Sequence, residues 1–199
     1  MDRLEAQLTF ARELDRLKGV LRQSRLFDDS RAENSAEHSW HIAILATLLA
    51  EYGPPGIDLA RVVRLCLVHD IVEIDAGDVF IYAEADRAAV AVAEVAAAQR
   101  LFGLLPPEQA AEWRASWEEF EAGETDEARF ARAMDRLMPM LHNLYGNGSS
   151  WQRHGVTYAQ VEARNRPILE IAPRLWAHLE PLLAKAVADG RLRGPGPAA

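Results

Sequence analysis

The sequence predicts an all-α, single-domain helical bundle, and three observations support this prediction. Apolar residues recur at the spacing of α-helices along most of the chain, and no segment shows the strict alternation of a half-buried strand. The chain has 199 residues, of which 49% are hydrophobic, and this is enough for one ordinary core. We assign residues 1–190 to one domain, whereas residues 191–199 are rich in glycine and proline and are predicted to form a disordered tail.

The boundaries of the predicted helices follow from capping residues and from glycine and proline. Asn34 or Ser35 is suited to cap the second helix, and Pro106-Pro107 opens a later one. Loops are expected between the helices, including residues 76–83 and 146–150. The predicted helices cover residues 4–17, a second from the cap at 34 or 35 to the stop at 53–55, then about 58–75, about 84–102, one from Pro106-Pro107 to near residue 123, and 126–144, followed by two more that Pro173 separates.

Charge and composition limit the possible classes of function. The formal net charge is −8, which disfavours a broad surface for a nucleic acid backbone. The single cysteine excludes an intrachain disulfide, and no apolar stretch reaches the roughly 20 residues that cross a bilayer. The first residues also lack the apolar segment of a signal peptide. We therefore expect a cytoplasmic protein that binds neither nucleic acid polymers nor membranes.

The most informative pair is His69-Asp70, which lies in the nearly continuous apolar helix predicted over residues 58–75. An ionised carboxylate in such a helix needs a compensating partner, because an unpaired buried charge is costly. A divalent cation would compensate it, with imidazole nitrogen and carboxylate oxygen as ligands. A buried salt bridge explains the pair equally well when the pair is considered alone.

Two further residues complete a pattern on three helices. His38 lies one turn into the second predicted helix, and Asp135 stands alone in the apolar stripe of the helix predicted over residues 126–144. The order His, His-Asp, Asp resembles the HD superfamily of metal-dependent phosphohydrolases. The strings at residues 31–39 (RAENSAEHS) and 69–78 (HDIVEIDAGD) are similar to its bacterial 5′-deoxynucleotidase branch and to the eukaryotic HD-domain-containing 5′-nucleotidases.

This resemblance covers most of the chain, from about Leu14 to at least Leu144, and implies an HD-type helical bundle with a central site. It implies hydrolysis of (deoxy)nucleoside 5′-monophosphates to nucleoside and phosphate by a metal-bound water. It also implies one divalent metal ion, which the ligand chemistry leaves open between Mn, Co, Fe, Ni, Mg and Zn. The metal ligands carried over from the family are His38, His69, Asp70 and Asp135.

The resemblance also assigns roles around the metal. Glu73 lies one turn after Asp70 and suits general acid–base work, and Asp78 matches an aspartate near the metal that contacts the sugar. Arg22 matches an arginine that orients the phosphate.

Two departures affect the substrate. Gln23 stands where that branch has a tryptophan, so stacking on the substrate is lost or supplied by Phe27 or Phe80. The segment 143–165 has a polar, aromatic pattern that is not typical of the characterised nucleotidases. The expected substrate-binding residues are Arg22, Gln23, Asp78 and Phe80.

Three interpretations of the function remain at this point. The first is a phosphomonoesterase that acts on a small phosphorylated substrate, which the resemblance implies is a nucleotide. The second is an HD-type hydrolase of another phosphate ester, such as a nucleoside triphosphate or an alarmone. The third is a non-catalytic module that binds metal and nucleotide. A homodimer is expected from the resemblance and from the alanine-rich segment Ala88 to Ala98, although that segment could equally pack inside the chain.

Overall fold

A computed structural model describes residues 2–80, 82 and 87–194, and it confirms the all-α, single-domain fold. The expected helix start at residue 84 lies outside the described residues. The α-helices are α1 (Arg3–Glu13), α2 (Ser35–Leu48), α3 (Leu59–Val68), α4 (Glu73–Ala76), α5 (Arg87–Phe102), α6 (Pro107–Ala122), α7 (Asp126–Tyr145), α8 (Ser149–His154), α9 (Tyr158–Ile171) and α10 (Pro173–Ala188). Shorter 3-10 helices cover Leu14–Gly19, Ala50–Tyr52 and His69–Val72.

Helix α7 lies at the centre of the main core and packs against α2, α3 and α9. Its inward stripe includes Met134, Leu137 and Met138, which are fully buried. The same stripe was predicted from the helical spacing of these residues. A second apolar cluster joins α1, α5 and α6, where Phe10 and Trp117 are buried.

A small antiparallel hairpin corrects the expectation that the chain has no strand. The strands β1 (Leu21–Arg25) and β2 (Ala32–Asn34) lie in the segment predicted to be a polar connector. The usual alternation is inverted here, because Ser24 and Glu33 are buried whereas Leu21 is 63% exposed. A search for apolar residues on an inward face therefore could not detect these strands.

The first and third predicted helices both change type before their expected ends. The first is α-helical only to Glu13, and the third, predicted over residues 58–75, becomes a 3-10 helix at His69–Val72 before α4 begins. The Nδ1 atom of His69 donates to the backbone carbonyl of Cys66 at 2.9 Å. A 3-10 stretch inside a helical segment commonly marks a functional position. Here it contains both His69 and Asp70.

Two expectations for the C-terminal region were wrong. Residues 149–150, predicted to lie in a loop, begin α8. The predicted disordered tail includes residues 191–194, which are packed: Leu192 is 2% exposed, and the side chain of Arg191 donates to the carbonyl of Leu144 at 2.7 Å. The backbone nitrogen of Tyr158 also donates to the carbonyl of Arg193. The prediction of disorder rested on the glycine and proline content, which does not reveal these contacts. Residues 195–199 lie outside the described part of the chain.

The apolar residues of helix α5 lie in two environments, the core and the surface. Ala97 and Ala98 are buried in the second cluster, whereas Val92 is 71% and Val95 is 46% exposed. The alanine-rich segment is therefore partly a core contact and partly an exposed apolar face. Among the described helices, none combines the length and apolar character needed to cross a membrane.

The packing of residues 191–194 gives a test of stability. We expect Leu192→Ala to lower the free energy of unfolding by about 2–3 kcal/mol, because it leaves a cavity beneath a buried side chain. Urea denaturation followed by circular dichroism measures this change. The matched control is Leu169→Ala on α9, where the leucine is 44% exposed and the loss should be smaller. Equal losses in the two variants would contradict the packed arrangement.

Candidate metal and phosphate site

The structure brings the side chains of His38, His69 and Asp135 together from three separate elements. One ligand atom of each lies within 4.8 Å of the others. The Nε2 atom of His38 is 3.1 Å from Oδ1 of Asp135, and Nε2 of His69 is 3.7 Å from the same oxygen. Asp70 joins the group through its Oδ1 atom, which is 2.9 Å from Nε2 of His69. All four expected ligands therefore share one small volume.

The start of α2 is fixed by a capping box, and this positions His38. The side chain of Asn34 accepts from the backbone nitrogen of Glu37, and the side chain of Glu37 accepts from the backbone nitrogen of Asn34. His38 follows at once and is fully buried. The sequence alone predicted this cap, though not the residue that holds the imidazole.

Glu33 is that residue, and sequence reasoning missed it. Its Oε2 atom lies 3.2 Å from Nδ1 of His38, and its side chain is 1% exposed. A carboxylate on the far nitrogen of a histidine fixes the ring and leaves Nε2 free to bind a metal. On its other side, Oε2 lies 3.9 Å from Nδ1 of His142. The available signal was a glutamate five residues before the expected ligand, within the string that carries the resemblance.

These residues fit a divalent cation. The Nε2 atom of His69 is buried, and within the described residues it makes no well-aligned hydrogen bond, although Asp70 lies close to it. Its Nδ1 atom is already used by the carbonyl of Cys66, so Nε2 is the nitrogen left for a ligand bond. Two imidazoles and two carboxylates form a donor set that suits several divalent transition metals.

The pKa values of the cluster reflect its crowded charges. Burial lowers the pKa of His69, but the carboxylates of Asp70 and Asp135 outweigh it and raise that pKa well above its usual value. Burial likewise opposes ionisation of Asp135, yet its hydrogen bond to His38 and the close imidazole of His69 hold its pKa well below the ordinary range. The pKa of His38 is also raised, because burial and the charge of Arg22 are outweighed by its hydrogen bonds to Asp135 and Glu33, so protons compete with a metal for both imidazoles.

Arg22 reaches this cluster from β1. Its guanidinium is 2.7 Å from Oδ2 of Asp70, 3.7 Å from Oε1 of Glu73 and 3.5 Å from Oδ1 of Asp78. It also lies 3.7 Å from Asp135. The hairpin that the sequence did not reveal is therefore the element that carries the expected phosphate-binding arginine.

Glu73 and Asp78 lie beside the metal cluster. Burial and the charge of Asp70 raise the pKa of Glu73 well above its usual value, and Oε2 accepts a hydrogen bond from the hydroxyl of Ser35 at 2.5 Å. Burial also raises the pKa of Asp78, against the opposing effect of Arg22. Both carboxyls can hold a proton where an ordinary carboxylate would not, which suits groups that exchange protons.

The cluster opens into a cavity of about 370 Å³. Gln23 and Phe80 line it, whereas Phe27 packs edge-on against His142 with ring centroids 4.7 Å apart. His154, which had no expected role, packs against Phe80 with centroids 4.3 Å apart. The far wall comes from the segment that the resemblance did not explain and includes Asn143, Ser150, Trp151 and Asn165. A cavity of this size can hold a small organic phosphate.

Buried histidines and aspartates that lie beside a cavity in a helical bundle are typical of helical proteins that bind a metal ion. The sequence profile of the HD domain family matches residues 14–176. The chain therefore belongs to the HD domain family, and the expected resemblance to HD-type metal-dependent phosphohydrolases is confirmed.

Named relatives extend this comparison. The chain is 28% identical over 135 residues to the human 5′-deoxynucleotidase HDDC2, a match that covers 67% of this chain and 65% of the human protein. It is 31% identical over 141 residues to the Xenopus laevis protein of the same name, which covers 69% of this chain and 67% of that protein. The chain thus spans slightly less than two thirds of the length of the human relative.

Solved structures support the fold over nearly the whole chain. The crystal structure of a "predicted metal-dependent phosphohydrolase" from Magnetospirillum magnetotacticum is 53% identical and has a TM-score of 0.92. That match covers 97% of this chain and 96% of the other. An HD-domain phosphohydrolase from Listeria innocua, 16% identical with a TM-score of 0.60 over 92% of this chain and 86% of that one, shares the fold.

The raised pKa values of His38 and His69 predict how metal binding depends on pH. We expect the affinity for Co²⁺ to fall as the pH drops below the raised pKa values of the two imidazoles, by roughly tenfold per pH unit for each proton displaced, because protons and metal compete for the same nitrogens. Titration monitored by the visible absorption of Co²⁺ measures the affinity. The control is His178→Gln, which replaces an exposed imidazole on α10 and should not alter the profile. A pH-independent affinity would contradict ligation by these two histidines.

Proposed function

We propose that the chain is a divalent-metal-dependent phosphomonoesterase that hydrolyses (deoxy)nucleoside 5′-monophosphates to nucleoside and phosphate. One observation carries the proposal: a buried His/Asp cluster, which the guanidinium of Arg22 contacts, opens into a cavity large enough for such a substrate. The names of the relatives from human and Xenopus laevis support the choice of substrate.

In this proposal, the metal ligands are His38, His69, Asp70 and Asp135. A divalent cation held there would polarise the phosphoryl group and lower the pKa of a water molecule. The excess of carboxylates over guanidinium groups around the site supports a bound cation, since uncompensated buried charge is unfavourable. The identity of the cation stays open between Mn, Co, Fe, Ni, Mg and Zn.

The remaining side chains bind the substrate and handle protons. Arg22 presents its planar guanidinium toward the cluster and would orient the phosphate through paired hydrogen bonds. Glu73, held by Ser35, would carry a proton on its free oxygen for transfer to the leaving oxygen of the sugar. Asp78 would contact the sugar and assist in the same proton exchange. Gln23 and Phe80, on the wall of the cavity, would contact the nucleoside.

Two further expectations belong to the proposal. The exposed Val92 and Val95 of α5 offer an apolar face for a second copy of the chain, so we propose a homodimer. We also retain the cytoplasm as the expected location, in line with the single free cysteine.

A phosphate-release screen tests the proposed activity. We expect the purified full chain, supplied with each of several divalent metals, to release phosphate from deoxynucleoside 5′-monophosphates in preference to the 3′-isomers. His69→Ala should remove this activity together with the bound metal. An active metal-loaded enzyme that ignores every nucleoside monophosphate would overturn the substrate assignment.

A substitution at Glu73 tests its role separately from metal binding. We expect Glu73→Gln to lower kcat by about 100-fold or more while the metal content, measured by mass spectrometry, stays unchanged. The reason is that the amide keeps the hydrogen bond to Ser35 but cannot exchange a proton. Glu51→Gln replaces an exposed glutamate and serves as the matched control. Unchanged turnover in Glu73→Gln would exclude Glu73 from proton transfer.

A further inference from the structure

Arg136 lines the same cavity as the metal cluster but has no role in the site described above. It follows Asp135 on α7, so its side chain leaves the helix about 100° away from the carboxylate. One of its terminal nitrogens donates to the backbone carbonyl of Arg164 at 2.9 Å. Its Nε atom is buried and makes no hydrogen bond within the described residues. A guanidinium with five donors thus faces a cavity with most of them unused.

Arg136 forms no direct ion pair within the described residues. No carboxylate oxygen lies within 4.0 Å of it among residues 2–80, 82 and 87–194, whereas Arg132 on the same wall donates to the carbonyls of Phe120 and Glu121 at 2.9 and 2.7 Å. Arg136 is half-buried, and a guanidinium with unused terminal N–H groups at the wall of a cavity is suited to bind an anion.

The neighbouring polar side chains are already satisfied by the protein. The amide of Asn143 donates to the carbonyl of Pro139 and accepts from the backbone nitrogen of Trp151. The amide of Asn165 donates to the carbonyl of Val161 at 2.8 Å. These groups therefore build a fixed wall, and Arg136 is the side chain with spare donors beside them.

We infer that Arg136 binds a second anionic group of the substrate, apart from the phosphate that is hydrolysed. The inference rests on the proposed function and narrows its substrate class to phosphate esters that carry two separated anionic groups, such as nucleoside 3′,5′-bisphosphates. An anion fits better than a nucleobase, since a neutral carbonyl would leave the charge of Arg136 uncompensated.

The experiment compares two probes on the full chain loaded with Mn²⁺. The probes are 2′-deoxyadenosine 5′-monophosphate and 2′-deoxyadenosine 3′,5′-bisphosphate, and calorimetry on the slow Glu73→Gln protein gives their affinities. We expect the bisphosphate to bind about 30-fold or more tightly. Adding Arg136→Gln should remove this preference and leave the affinity for the monophosphate within about threefold. Arg136→Lys should restore part of the preference.

Arg166→Gln is the matched control, because Arg166 is an exposed arginine on α9 that is bonded to Glu170. It should leave the preference intact. If the protein that retains Arg136 binds the two probes with equal affinity, the inference is overturned, and no substitution at Arg136 is needed for this result. The inference is also overturned if Arg136→Gln changes the relative affinity for deoxyguanosine and deoxyadenosine monophosphates but not the relative affinity for bisphosphate and monophosphate.

The same samples separate this inference from the proposed function. Phosphate release from monophosphates with no preference for the bisphosphate would leave the proposed function standing and remove the inference. A preference for the bisphosphate that depends on Arg136, without release of phosphate from any monophosphate, would support the inference and remove the proposed activity.

Discussion

The structure depends on one electrostatic constraint, the gathering of several carboxylates around a single guanidinium. Arg22 lies within 4.0 Å of each of five acidic side chains, and no other arginine or lysine in the described part of the chain approaches them as closely. The five are Glu33, Asp70, Glu73, Asp78 and Asp135. One positive charge cannot balance them, and the raised pKa values of His38, His69 and Glu73 favour protons at these positions. A divalent cation would replace those protons, and the fold is thereby matched to metal binding.

The elements around the cluster hold this charge in place. Helix α7 supplies Asp135 from the same turns that bury Met134 and Met138, so the carboxylate is positioned by the main core. The 3-10 segment after α3 supplies His69 and Asp70. Because packing fixes these backbones, the expected ligand atoms are held close together.

The sequence predicted those parts of the site that stand out against an apolar background. His69-Asp70 and Asp135 are polar residues in apolar helices, and such positions are expensive enough to demand an explanation. Glu33 and the strands around it carried no such contrast, since they lie in a segment that is polar throughout. The hairpin could not be predicted from the pattern of apolar residues, because its buried residues are polar and its apolar Leu21 faces solvent. The roles assigned to individual residues stay predictions until metal and substrate binding are measured.

The cavity shows why a shared metal cluster does not fix a substrate. Its inner end is lined by residues of the string at 69–78, namely His69, Asp70, Glu73 and Asp78, which carries part of the family resemblance. Its outer wall is built by the end of α7 together with α8 and α9, where the sequence departs from the characterised branch. Under the proposed function, phosphate cleavage would take place at the inner end, whereas the outer wall would select the group attached to the phosphate. Relatives can therefore keep the reaction while changing the substrate, and Arg136 lies at the junction of the two parts.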